Sequence, residues 1–144
     1  MSRLHIHITV EDIEHNIRFY NTLFNQAPTV HQPDYAKWEL ADPAVNFAIS
    51  THGARTGLDH VGIQADDADE LQSLQARLED AGIVGHEQTG ATCCYARSDK
   101  YWTRDPQGIA WEAFHTLDAH PTFGAAAEKN ATGCCTPAFS TGCC

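Results

Sequence analysis

Residues 4–12 read Leu-His-Ile-His-Ile-Thr-Val-Glu-Asp, and residues 58–67 read Leu-Asp-His-Val-Gly-Ile-Gln-Ala-Asp-Asp. Each stretch is a strand pattern that runs into an acidic helix start. In the first, Leu4, Ile6, Ile8 and Val10 fall on one face and His5, His7 and Thr9 on the other. That period of two marks a half-buried strand, and its polar face is expected to meet water. Glu11-Asp12 put negative charge where a helix N-terminus favours it. Ile13, Ile17, Tyr20 and Phe24 follow as an apolar stripe, with Phe19 and Leu23 beside it. Short strands are predicted near 28–31, 35–41 and 44–50, punctuated by Pro33-Asp34 and Asp42-Pro43.

The pattern then restarts. Leu58–Ala65 reads as a strand, Asp66–Asp69 as a helix start, and Leu71, Leu74 and Leu78 as its apolar stripe, ended by Ala81-Gly82. Strands are predicted near 83–88, 92–98 and 109–115, with Asp105-Pro106-Gln107-Gly108 as a tight turn before the last. The expected fold class is therefore α+β, with tandem βαβββ modules over residues 3–50 and 58–115. Neither module can bury its sheet alone, so the two are expected to pair as one domain, residues 1–116, around a curved mixed β-sheet cleft. Whether one chain closes the cleft or two chains of a homodimer share it is left open. Residues 117–144, rich in Ala, Gly, Thr, Pro and Ser, read as a flexible Cys-rich tail.

Composition narrows the function classes. At 144 residues and 42% hydrophobic content the chain can bury a real core. No run approaches the roughly 18 apolar residues that span a bilayer, and residues 1–10 show no signal-peptide pattern. A cytoplasmic location, where thiols stay reduced, is the expectation. The net charge is −10 with nine Lys+Arg and no basic cluster, which argues against nucleic-acid binding.

All six cysteines fall in adjacent pairs: Cys93-Cys94, Cys134-Cys135 and Cys143-Cys144. Neighbouring cysteines close a disulfide only through a strained small ring, so these pairs are poor structural staples. Paired soft sulfur donors suit thiophilic centres such as trivalent arsenic, Cd(II) or Cu(I).

Three further residues belong together. His5 lies on the first strand, His60 on the matching strand of the second module, and Glu112 on the last strand among apolar neighbours on its face, Ala110 and Phe114. A carboxylate there is costly to bury unless charge or metal meets it. Two imidazoles and a carboxylate form a facial triad that holds Fe(II) with open positions, or Zn(II) or Ni(II) with a reactive water.

These elements resemble the vicinal oxygen chelate superfamily, which includes glyoxalase I, fosfomycin-resistance enzymes and extradiol dioxygenases. The matching stretches are residues 4–12, Leu58-Asp59-His60-Val61-Gly62, and Asp105-Pro106-Gln107-Gly108 running to Glu112. The resemblance implies a glyoxalase-like fold over roughly residues 3–116, with His5, His60 and Glu112 as metal ligands and His7 as the competitor of His5. Glyoxalase I usually carries a further Glu on the last strand of the first half, and Val45–Ser50 has no carboxylate. Gly90–Ala96 with Cys93-Cys94, followed by Asp99-Lys100-Tyr101-Trp102, looks like the organoarsenical carbon–arsenic lyases and the related cadmium-induced proteins.

That branch implies an Fe(II)-dependent dioxygenase with O2 as co-substrate. It would act on a trivalent organoarsenical, methyl or aryl, captured by Cys93 and Cys94. Both sulfurs reach one arsenic only if the pair sits in a loop or bulge, because adjacent strand residues point to opposite faces; Gly90 and residues 89–92 are expected to supply a flexible loop. Tyr101 and Trp102 are candidates for the substrate-pocket wall, with core packing the competing explanation. Lys100 and Arg104 are expected at the surface, and His15, His31, His52, His86 and His120 at the surface or behind the ligands. Rival functions are a non-catalytic cadmium or arsenic thiol binder and a thiol-dependent isomerase or transferase of the same fold.

Overall fold

A computed structural model describes residues 1–124; the expected flexible tail from 125 onward, with Cys134, Cys135, Cys143 and Cys144, lies outside them. Strand β1 (Arg3–Thr9) leads to helix α1 (Ile13–Phe24). Asp12 caps the helix by accepting from the His15 amide at 2.7 Å, and Asn25 closes it in the left-handed region at φ 49°. Ile13 and Ile17 are buried, with Tyr20 and Phe24 packed beside them. Against this stripe lie Ile6, Ile8, Val10, Trp38, Phe47 and Ile49. Phe19 and Leu23 stay exposed, because only one face of α1 meets the sheet.

Strands β2 (Val30–Gln32), β3 (Tyr35–Ala41) and β4 (Ala44–Ser50) complete the first module. The second repeats the order: β5 (Gly57–Gln64), α2 (Ala68–Asp80), β6 (His86–Cys93), β7 (Ala96–Arg104) and β8 (Ala110–Ala119). Asp67 caps α2 as Asp12 caps α1. The eight strands form one curled sheet in the order β2-β3-β4-β1-β5-β8-β7-β6. In each module the first strand runs parallel to the last, β1 with β4 and β5 with β8, and the modules join along an antiparallel β1–β5 ladder. The tandem βαβββ reading is thus the observed architecture, and the cleft is enclosed within one chain. No helix among the described residues is long and apolar enough to cross a membrane.

Four expectations change. The polar face of β1 does not meet water: His5, His7 and Thr9 are all buried. The sheet curls so that this face becomes the lining of the cleft, while helices cover the other. Next, the strands expected near 83–88 and 92–98 are in fact one hairpin, β6–β7, whose two-residue turn is Cys94-Tyr95. Both residues have positive φ, 59° and 60°, the conformation of the tight turns that match strand twist. Residues 89–92, expected as a loop, lie within β6 as a bulge at Gly90 (φ 61°). Finally, β8 runs to Ala119, beyond the expected domain end at 116, because its last residues pair with the start of β7.

The tip of the β6–β7 hairpin crosses the mouth of the cleft. The Tyr95 hydroxyl donates to Asp34, in the β2–β3 turn, at 2.5 Å, and His52 meets the same carboxylate at 2.6 Å. The Phe123 ring stacks on His52 with centroids 3.7 Å apart.

Gly62 sets the approach of β5 and β8. A Cβ built there would lie 2.1 Å from the carbonyl oxygen of Glu112, a backbone atom that cannot step aside. Gly62→Ala is expected to lower the urea midpoint, with the slope unchanged, by an overpacking cost of about 1–3 kcal/mol. An unchanged midpoint would show that the two strands can part freely.

Candidate metal centre

The β1–β5–β8 registry assembles the three residues singled out in the sequence. His5 pairs with Gly62, and Gly62 pairs with Glu112 on the other side. With no side chain between them, the carboxylate of Glu112 reaches across to the two imidazoles. His5 Nε2 lies 3.1 Å from His60 Nε2, and Glu112 Oε2 lies 3.6 Å from the first and 3.4 Å from the second. All three residues are at most 5% exposed.

The outer nitrogens of the rings fix what faces inward. His5 Nδ1 donates to the Asn46 carbonyl at 3.0 Å, and His60 Nδ1 donates to Asp59 Oδ2 at 2.7 Å. A carbonyl and a carboxylate only accept, so each Nε2 presents a lone pair to the other. Two lone pairs and a carboxylate oxygen converge in a buried interior, an arrangement that a cation among them stabilises. Protonation supplies one in part: burial alone would lower His60, but its bonds to Asp59 and Glu112 outweigh burial and raise it. His5 falls to about 4, through burial and then through His60. A divalent ion satisfies all three donors at once, so the residues fit a metal.

Lys100 is not the surface residue expected. It is 5% exposed on β7, with Nζ 2.5 Å from Glu112 Oε1 and above the Trp102 and Phe114 rings. Burial would raise the Glu112 carboxyl, but Lys100, then His60 and His5, hold it far below the usual carboxylate range. One carboxylate oxygen is thus tied to the ammonium and the other is left for the imidazoles. A buried lysine gives no sign in the sequence beyond its place between Ser98 and Trp102, the inward-facing neighbours on its strand. His7 also points inward: ligating nitrogens of His5, His7 and His60 all lie within 4.8 Å of one another, and Ser50 Oγ meets His7 Nε2 at 2.8 Å.

Cys93 and Cys94 share a cavity of about 40 Å³ with His5, Lys100, Glu112 and Phe114. On a straight strand their side chains would diverge; the turn at Cys94 brings the two sulfurs to 2.8 Å. Burial, with Glu112 and Asp59 adding to it and Lys100 opposing, pushes the Cys94 thiol up to about 12. Trp102 stands behind His60, ring centroids 5.1 Å apart, and donates from Nε1 to Gln88. Tyr101 does not join it. As the neighbour of Trp102 on β7 it points to the other face, where it packs with Ala65 and Leu71 under α2, so its expected role in the substrate wall is corrected to core packing.

The comparisons with known proteins bear on the family and the fold. The profile of the Glyoxalase/Bleomycin resistance protein/Dioxygenase superfamily matches residues 2–113. The chain is 34% identical to a trivalent organoarsenical cleaving enzyme of Bacillus sp. (strain MD1), covering 98% of this chain and 94% of the relative. It is 35% identical to the cadmium-induced protein CadI of Mycobacterium tuberculosis (strain ATCC 25618 / H37Rv), covering 92% and 88%. Among solved structures, the 2,3-dioxygenase LapB from Pseudomonas sp. KL28 shares the fold with a TM-score of 0.62 at 18% identity, over 82% of this chain and 42% of LapB. The Mn(II)-bound glyoxalase from Novosphingobium aromaticivorans does so at 0.59 and 16%, over 83% and 42%. An enzyme acting on a small molecule at a metal site is the coarse reading these likenesses support. On its sequence and its tandem βαβββ architecture alike, the chain belongs to the Glyoxalase/Bleomycin resistance protein/Dioxygenase superfamily.

Proposed function

We propose that the protein is an Fe(II)- and O2-dependent dioxygenase that cleaves the carbon–arsenic bond of trivalent organoarsenicals, acting in the reducing cytoplasm. One observation carries the reading: His5 and Glu112 line the same small cavity as the adjacent cysteines Cys93 and Cys94. A thiophilic substrate held by the sulfurs is then beside the metal donors. The named organoarsenical-cleaving relatives support this choice of substrate.

In their reduced state the two thiols condense with a methyl- or arylarsenous acid. Two As–S bonds form, two As–O bonds break, and two waters leave. Each thiol proton departs with an arsenic hydroxyl, so capture needs no free thiolate, consistent with the raised Cys94 thiol. Fe(II), held by His5, His60 and Glu112, would supply the redox capacity and an open position for O2. For a methyl substrate the overall balance is methylarsenous acid plus O2 to formaldehyde plus arsenous acid. The carbon is oxidised, dioxygen is reduced and arsenic stays trivalent. The protein contributes orientation: the Asn46 carbonyl and Asp59 aim the imidazoles, while Trp102 and Phe114 keep water out. Because the cavity is small, substrate entry requires the Cys94-Tyr95 turn to leave its contact with Asp34.

Incubating Fe(II)-loaded protein with methylarsenite in air and under nitrogen tests the reading. Arsenite is expected in air alone; intact, protein-bound methylarsenite in both would leave a non-catalytic thiol binder. Cys93→Ser and Cys94→Ser are each expected to weaken arsenical binding by at least about tenfold, as loss of one soft ligand implies, with iron affinity unchanged by titration. Equal loss of iron would mean the sulfurs and the triad do not divide the work.

Lys100→Met strips Glu112 of its partner in the metal-free protein, at a cost of about 3–5 kcal/mol. Urea denaturation with a divalent ion present should show a smaller loss, since the ion takes over the charge. The same loss with and without the ion would place no metal at Glu112.

A further inference from the structure

The two modules offer four metal donors. Asp12 and Asp67 occupy equivalent helix caps, and His5 and His60 stand 55 residues apart at equivalent places on β1 and β5. In the antiparallel β1–β5 ladder Ile6 pairs with Val61, so a local two-fold passes there and exchanges His5 with His60 and His7 with Gly62. On the next strands, Ala48 pairs with His7 in the first module and Glu112 pairs with Gly62 in the second. Ala48 is therefore the counterpart of Glu112.

Each half combines one large and one small residue at these places. In the second module the large residue is Glu112 on β8, and Gly62 leaves it room. In the first it is His7 on β1, and Ala48, fully buried, leaves it room. His7 thus fills the space that a carboxylate on β4 would occupy. It is 3% exposed, its ring centroid is 4.8 Å from that of His60, and its ligating nitrogen lies within 4.8 Å of those of His5 and His60. Ser50, also buried, holds the ring in this orientation.

We propose that His7 is a fourth protein ligand of the metal, standing across the local two-fold in place of a second carboxylate; this rests on the His5–His60–Glu112 reading above. An imidazole donates without adding charge. A divalent ion bound by one carboxylate and three neutral imidazoles keeps a net positive charge. A six-coordinate ion keeps two open positions, enough for O2 and one further atom when the sulfurs carry the arsenic.

The test is X-ray absorption at the iron edge on the anaerobic, Fe(II)-loaded full chain, where outer-shell scattering counts the imidazoles. Three are expected in the wild-type protein and two in His7→Gln, and chelator competition should show an iron affinity lower by at least about tenfold in the variant. Two imidazoles in the wild-type protein, a count that needs no variant to fold, would overturn the proposal. His60→Ala separates the two readings: it is expected to lose iron, and iron retained there would overturn the site itself rather than His7 alone.

Discussion

Three electron-pair donors pressed together in a buried interior are the constraint on which the rest of this molecule turns. His5 Nε2, His60 Nε2 and Glu112 Oε2 lie 3.1–3.6 Å apart with their lone pairs facing one another. Left alone they repel, and burial takes them out of bulk water. The surrounding residues answer that problem one by one. Asn46 and Asp59 take the outer protons of the rings, Lys100 takes one carboxylate oxygen, and Gly62 removes the side chain that would keep Glu112 away. These donors converge at the junction of the modules, where both first strands and the last strand of the second module meet.

On the proposed function, that junction is also where substrate chemistry would take place. Helices cover the outer face of the sheet, so the curled inner face carries the polar groups, and the β6–β7 hairpin brings sulfur across its mouth. A turn rather than a straight strand is what brings the two adjacent sulfurs together. The anchor of that turn on Asp34 ties the second module to the first, so the sulfurs and the metal donors are positioned by the whole sheet rather than by a loose loop.

Much of this was legible in the residues. The alternation from Leu4 to Val10, the two capping aspartates and the leucine spacing in α2 are local effects, and local physics places them. Glu112 stood out because its face neighbours are apolar. The misreadings share one cause: closure of the sheet is a long-range event that short windows do not register. The polar face of β1 looked solvent-exposed because nothing local says that the sheet curls over it. Lys100 looked like an ordinary surface lysine because its partner lies on another strand. The turn at Cys94-Tyr95 was hidden because neither residue favours positive φ, and the hairpin pairing and the Asp34 contact hold it there. Tyr101 was separable from Trp102 by strand alternation alone, once β7 is placed.

The central claim is that metal donors and thiols act on one substrate in one cavity. Diffraction from crystals soaked with Fe(II) and phenylarsenite under nitrogen, recorded at the iron and arsenic absorption edges, tests it directly. The account predicts an iron peak among His5, His60 and Glu112 and an arsenic peak bonded to both Cys93 and Cys94 within the same chain. Arsenic bound elsewhere, or iron on the sulfurs with the three donors left bare, would contradict it.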